Sequence, residues 1–248
     1  MIRSRRPNAV FRPVSLLYFL ILFVAFGIIA GVILLLVGDL LVTGLGIPPS
    51  WVDAFLLVSL MGSFLNLPVA TLESRVPVLR LRRVSAFGVS WQIPSVEFGV
   101  TKTHVMVNVG GALLPVITSA WILGYSIPSA PHPVAHYAAS LVVLIVVTVI
   151  VNQTAKVIEG LGVATPALVP PVVTALATIA IDFFNPLSAL AQVAYVGGTL
   201  GTLIGADLMN LHKIRDLGAP VVSIGGAGTF DGVYLTGLVS VLLVVLVL

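Results

Sequence analysis

The chain has 248 residues, of which 58% are hydrophobic and only 8% charged, with a formal net charge of +3. A soluble domain carries roughly 25% charged residues, so this composition predicts an integral membrane protein and excludes an ordinary soluble domain. Cysteine is absent, which removes disulfides, thiolate metal sites and thiol catalysis from consideration.

The N-terminal "MIRSRRPNAVFRP" has the charged character of a signal-peptide start. The apolar stretch behind it, Val14–Val37, is longer than the roughly 7–15 residues of a signal h-region and ends in no small-residue cleavage site, so it is read as a retained span. Six further apolar stretches follow: Trp51–Thr71, Val105–Gly124, Val134–Val151, Pro166–Ile181, Leu187–Leu211 and Asp231–Leu248. A span needs about 17–25 apolar residues; the fifth stretch is the shortest. Pro48-Pro49, Pro128-Ser129-Ala130-Pro131 and Asn185-Pro186 mark turns. The predicted fold class is therefore an all-α integral membrane protein, a polytopic bundle of about seven transmembrane helices forming one domain over residues 1–248. The loop from Glu73 to His104 contains "VPVLRLRRVSAFGVSWQIPSV", whose alternating and β-branched pieces predict short strands or an interfacial hairpin between the second and third spans.

Placing the N-terminus in the cytoplasm puts Arg3, Arg5, Arg6 and Arg12 inside. Arg75, Arg80, Arg82, Arg83, Lys102, Lys156, Lys213 and Arg215 then fall on the same side, which accounts for all 12 basic residues. The opposite loops hold Asp39, Asp53 and Asp182 and no Lys or Arg. This asymmetry sets the orientation and leaves the C-terminus outside. It also explains the basic balance without nucleic acid; the loop arginines suit anionic lipid. The expected location is the cell membrane, multi-pass.

The same topology gathers polar residues at one depth. Asn66, Asn108, Asn152, Gln153, Asp207, Asn210 and Asp231 all fall at the inner ends of five spans. Ionisable groups inside a bilayer are costly, about 2.5–3.5 kcal/mol on insertion scales, and commonly mark a pathway or reactive site. The alternative for each amide is a hydrogen bond tying two helices together. In span six, Gly197, Gly201 and Gly205 form a small-residue stripe suited to close helix contact. On a regular helix Asp207 points about 160° away from Gly205, so the stripe and the aspartate address different neighbours. Asp231 opens the last span behind "GGAG", in which Gly225, Gly226 and Gly228 let the backbone approach another segment or form an anion-binding nest. Asp231, or Thr229, also suits a helix N-cap.

His132 and His136 stand four residues apart in "PHPVAHY", but without a metalloprotease glutamate and with Pro133 between them. They are read as a loop and helix start. No phosphate-binding loop occurs, and the sequence implies no metal and no cofactor. Trp51, Trp91 and Trp121 read as interface anchors.

The segments "YVGGTLGTLIGADLMNL" and "LGAPVVSIGGAGTFDGVYLTG", with "NVGGALLPV" and "TPALVPP", resemble an archaeal and bacterial family of membrane proteins, the domain of unknown function 1614. The resemblance covers most of residues 60–240 and implies no particular activity. A second resemblance is to the GxGD intramembrane aspartyl proteases, such as presenilin, signal peptide peptidase and prepilin peptidase. It implies two catalytic aspartates on two helices near the cytoplasmic side, here Asp207 in "GAD" and Asp231 in "GAGTFD". Two extra residues precede Asp231, no tyrosine stands before "GAD", and Pro166-Ala167-Leu168 precedes both aspartates rather than following them.

Three functions are compatible with this pattern. In an aspartyl hydrolase acting on a transmembrane peptide, Asp207 and Asp231 share one proton and titrate as a pair. In a transporter or channel the same carboxylates, with Asn66, Asn108, Asn152, Asn210, Gly226 and Gly228, bind a proton, a small ion or a polar solute. In a lipid-interacting or assembly protein they are structural. Membrane lipids are partners in all three; the oligomeric state is not encoded in a pattern of this kind.

Overall fold

A computed structural model of the chain describes residues 13–86, 89–158, 162–216, 220–226 and 231–247. The basic N-terminal residues Arg3, Arg5, Arg6 and Arg12, together with Gly228 and Thr229, lie outside them. Two units are distinct, residues 1–39 and residues 40–248. In the first, α1 (Pro13–Asp39) is a single apolar helix of 27 residues.

The second unit is mostly helical but contains sheet. Helix α2 (Pro49–Gly62) leads into a long hairpin, β1 (Asn66–Ala86) and β2 (Val89–Asn108). A π-turn, Val109–Leu113, then opens α3 (Leu114–Trp121). Next come α4 (Pro133–Thr154), the small hairpin β3 (Lys156–Ile158) and β4 (Gly162–Ala164), and α5 (Val169–Phe184). Helix α6 (Leu190–Thr202) continues through a π-turn, Leu203–Asp207, and a 3₁₀ turn, Leu208–Asn210, into α7 (Leu211–Asp216). Strand β5 (Val221–Ile224) and helix α8 (Gly232–Val247) complete the chain.

The sheet corrects the all-α expectation. β1 and β2 pair from Asn66↔Asn108 to Ala86↔Val89, and β5 joins β2 in parallel over His104–Val107. The strands therefore take the end of the predicted second span and the start of the third. Hydropathy alone does not separate a buried strand from a helix end. Pro68 resolves the ambiguity, because a proline inside a helix loses a hydrogen bond and clashes with the preceding turn. A β-bulge falls between Pro68 and Ala70. Pro68 and Pro77 lie in β1, the edge strand, and Pro94 lies where β2 has no second neighbour, the positions at which a missing N–H costs no ladder bond.

Among the described residues, Val109–Ser129 and Pro133–Thr154 are long and apolar enough to cross a membrane. The centre of the bundle is α6. Its glycine stripe packs on α4: a Cβ on Gly197 would meet Val143, one on Gly201 would meet Val147, and one on Gly205 would meet the backbone of Thr148. The pairing ascends in both helices, so α4 and α6 run parallel. Against α8 the order reverses, because Gly198 faces Thr236 while Gly237 faces Tyr195 and Thr199. An apolar layer of Ala139, Val143, Val147, Val151, Val193 and Ala206 fills the α4–α6 seam. Ala175, Leu190, Ala194 and Val244 close the other side.

The α4–α6 contact sets a stability test. A methyl on Gly205 would lie 2.5 Å from the Thr148 carbonyl oxygen, so the backbone must move. Gly205→Ala is expected to cost about 1–3 kcal/mol, lowering the melting midpoint of the purified protein by about 2–4 °C for each kcal/mol. Gly124→Ala, at a position with nothing within 4 Å, is expected to leave the midpoint unchanged or raised.

Candidate functional site: two carboxylates at a helix break

The site forms where α6 stops being regular. A π-turn inserts one residue into the helical ladder and leaves carbonyls short of their usual partners. Gly205 O is satisfied instead by two side-chain amides, Asn152 Nδ2 from α4 at 3.1 Å and Asn210 Nδ2 at 3.1 Å. Asn210 Nδ2 also donates to Ala206 O at 2.8 Å, while its Oδ1 accepts from Lys213 Nζ at 2.7 Å. Asn152 and Asn210 thus hold the break open by backbone contacts.

Asp207 is the last residue of this π-turn and is half-buried. Its Oδ2 accepts the Gly225 N–H at 3.1 Å. The nest-like amide anticipated in "GGAG" is therefore directed at the chain's own carboxylate. Gly225 has φ +66°, and a Cβ there would lie 2.6 Å from Ala112 N. Both the left-handed backbone and the close approach require glycine. Gly226 is an exposed turn residue against Ser223 O.

Asp231 begins α8. Its Oδ1 accepts the Val233 N–H at 2.9 Å, which makes it the N-cap. The Asp207 and Asp231 carboxylates are also close enough to interact electrostatically. The cap and the meeting with Asp207 are thus two uses of one side chain.

The remaining polar residues join this centre through β5. Asn108 caps the π-turn before α3, its Oδ1 accepting from Gly111 N at 2.8 Å. Its Nδ2 donates to Ser63 O at 2.7 Å and to Asn66 Oδ1 at 3.2 Å. Asn66 Oδ1 also accepts from Ser223 Oγ at 2.6 Å, tying the base of the hairpin to β5 two residues before Gly225. Beside it packs an apolar cluster of Val105, Ala112, Leu203, Ile224 and Val233, drawn from five segments. All the described residues of the predicted set thus gather at one end of the bundle. The two aspartates face each other's charge, whereas the four asparagines engage backbone, each other, Ser223 and Lys213. Gly225, singled out in the sequence as a close-approach glycine, joins them through its N–H; Ser223 and Lys213 are additional members for which the sequence carried no signal.

The histidines stay apart from this centre. His136 is buried, with Nδ1 on His132 O at 3.1 Å and Nε2 accepting from Ala189 N at 3.1 Å. Its ring ties the start of α4 to the start of α6, in keeping with the helix-start reading.

The fold and site define a mostly helical protein with two helices long and apolar enough to cross a membrane among the described residues, a three-stranded sheet at one end and a paired-carboxylate centre between them. Residues 60–243 match the family described as "Protein of unknown function (DUF1614)", and the chain belongs to that family. It matches no curated protein and no solved structure.

The two bonds of the centre separate structural from chemical roles. Asn is as good an N-cap as Asp, so Asp231→Asn is expected to keep the melting midpoint within about 2 °C, whereas Asp231→Ala loses about 0.5–2 kcal/mol. Gly225→Ala is expected to lower the midpoint more than either, since it strains the backbone and drives Ala112 away.

Proposed function

We propose that the protein is an intramembrane aspartyl hydrolase that cleaves a peptide bond in a transmembrane substrate, with Asp207 and Asp231 as the catalytic pair. The observation that carries this reading is the electrostatic contact of two carboxylates, each oriented by a backbone N–H. With one proton between them, the ionised carboxylate takes a proton from water as its oxygen attacks the scissile carbonyl carbon. The protonated partner donates to the carbonyl oxygen. The tetrahedral intermediate then collapses, the C–N bond breaks, and the amine leaves with a proton from the pair.

The topology that goes with this function is seven spans in the cell membrane, N-terminus inside and the site at the inner headgroup level. It is supported by the parallel run of α4 and α6 and the antiparallel run of α6 and α8, as expected if each successive span reverses direction. The hairpin then lies on the cytoplasmic side with its arginines near anionic lipid.

One observation favours a second reading, proton- or cation-coupled transport. Helix α6 is discontinuous at residues 203–210, and broken helices with exposed carbonyls line ion sites in transporters. The experiment uses a photoreactive peptide carrying a hydroxyethylene group, which mimics the tetrahedral intermediate, on the protein in lipid nanodiscs. Wild type is expected to be labelled and to cleave a fluorogenic transmembrane peptide. Asp207→Asn and Asp231→Asn are each expected to lower cleavage by at least about 100-fold with the fold retained. No labelling and no cleavage, together with an aspartate-dependent proton or sodium flux in liposomes, sinks the hydrolase in favour of the transporter.

Orientation has its own test, since the natural chain has no cysteine. Single cysteines at Ser74 and Ser85 are expected to react with a membrane-impermeant maleimide only from the cytoplasmic side, and one at Ser129 only from outside. Reaction of Ser74→Cys and Ser129→Cys from the same side refutes the seven-span scheme.

A further inference from the structure

The core beyond the aspartates is not uniformly apolar. Six hydroxyls from four helices are buried there: Ser59 on α2, Thr118 on α3, Tyr195, Thr199 and Thr202 on α6, and Tyr234 on α8. Tyr195 lies beside Thr118 and within electrostatic reach of Tyr234, which in turn lies near Ser59; Ser59 Oγ has no hydrogen-bond partner among the described residues. Thr199 and Thr202 are 0% and 1% exposed, and their Oγ1 atoms have no hydrogen-bond partner among the described residues. A buried hydroxyl without a partner costs about 1–3 kcal/mol. Most other buried hydroxyls here avoid that cost by bonding a carbonyl of their own helix, as Thr118, Ser119, Thr174, Thr178, Thr236 and Ser240 do.

The π-turn sets how Asp207 stands relative to these groups. Tyr195, Thr199 and Thr202 follow i, i+4, i+7 spacing and share one face of α6. On a regular helix Asp207 would point about 140° away from Thr202. The extra residue of the π-turn subtracts about 100° and brings Asp207 to within roughly 40° of the hydroxyl face. Thr202 then lies roughly 7 Å behind Asp207 along the helix, and Thr199 roughly 12 Å. Only glycine fits opposite: a Cβ on Gly237 would lie 2.6 Å from Thr199 Oγ1 and 2.8 Å from the Tyr195 ring.

We infer that this hydroxyl cluster is a water-binding site, and that its bound waters relay protons, and supply water, to Asp207 from inside the bundle. The relay half rests on the reading of Asp207 and Asp231 as a proton-sharing pair; the water site does not. In each step a water donates one proton toward the carboxylate as it accepts another from the next oxygen, so no oxidant or co-reactant enters. Buried waters typically make about three hydrogen bonds to polar groups that otherwise lack partners, which Thr199 and Thr202 would provide.

Two measurements on the full chain in nanodiscs test this. Thr→Val keeps shape and removes only the hydroxyl. If Thr199 and Thr202 bind water, Thr199→Val and Thr202→Val each lower the melting midpoint by about 2–4 °C, and Thr→Ser restores it. An unchanged or raised midpoint in both overturns the water site, because deleting a dry, unpaired hydroxyl is neutral or stabilising. The relay is read from the infrared band of the protonated carboxyl, assigned by its loss in Asp207→Asn. Its exchange on transfer to D₂O is expected to slow at least about tenfold in the double Thr→Val variant; an unchanged rate overturns the relay. Absence of any band sensitive to Asp207→Asn refutes the proton-sharing pair and the relay with it, while the midpoints still decide the water site.

Discussion

The bond from Gly225 N–H to Asp207 is the contact on which the rest of the site depends. A carboxylate half-buried at the end of a helical bundle loses hydration, and a charge-assisted hydrogen bond is worth about 1.5–3 kcal/mol. To receive it, Asp207 must point toward the loop before α8, and the π-turn gives it that direction. To give it, Gly225 must adopt φ +66° against the backbone of Ala112, and β5 must hold the loop in place by pairing with β2. Pairing with β2 in turn requires the hairpin to begin inside what reads as a span. One polar contact thus accounts for the helix break, the left-handed glycine and the strand that enters the bundle's end.

The break in α6 is tolerable because its neighbours fix both sides of it. Small residues let two helix backbones approach closely, and interhelical hydrogen bonds then add to the association. α4 supplies both. Val143, Val147 and Thr148 seat the glycine stripe, and Thr148 and Asn152 reach the carbonyls of Gly201 and Gly205, four residues apart on each helix. The last of these bonds falls on the π-turn itself. The stripe therefore positions the Asp207 end of the helix as well as packing it.

Much of this was legible in the residues, for physical reasons that differ by element. The glycine stripe and the convergence of Asn66, Asn108, Asn152, Asp207 and Asp231 follow from periodicity and from which ends of the spans coincide. The extent of the hairpin did not follow, because Leu67–Ala70 and Val105–Val107 are as apolar as a helix and only Pro68 argues for strand. β5 was hidden for a similar reason: "VVSI" is four residues long and gains its partner from a strand more than a hundred positions earlier. The π-turn was hidden more deeply. A regular helix placed Asp207 by a 100° step, and nothing in "LIGAD" announces an extra residue in the turn. The asparagines were found by depth, but their engagement with backbone carbonyls became clear only with the break.

Asp231 is both a helix cap and a member of the pair, and these uses reinforce each other. A cap fixes the carboxyl by a bond from the backbone, Val233 N–H to Oδ1, and the backbone does not change rotamer. Asp207 is fixed the same way from Gly225. Both carboxylates are therefore oriented by main-chain donors belonging to segments that the sheet and α8 hold in place. A hydrolytic pair benefits from this, since its efficiency depends on groups held in the geometry of reaction before substrate arrives. A carrier must open its site first to one side and then to the other, which would mean breaking one of these bonds or moving β5 and α8 together. The anchoring of each carboxylate by a main-chain N–H is thus the feature that supports the proposed chemistry at a fixed site over alternating access.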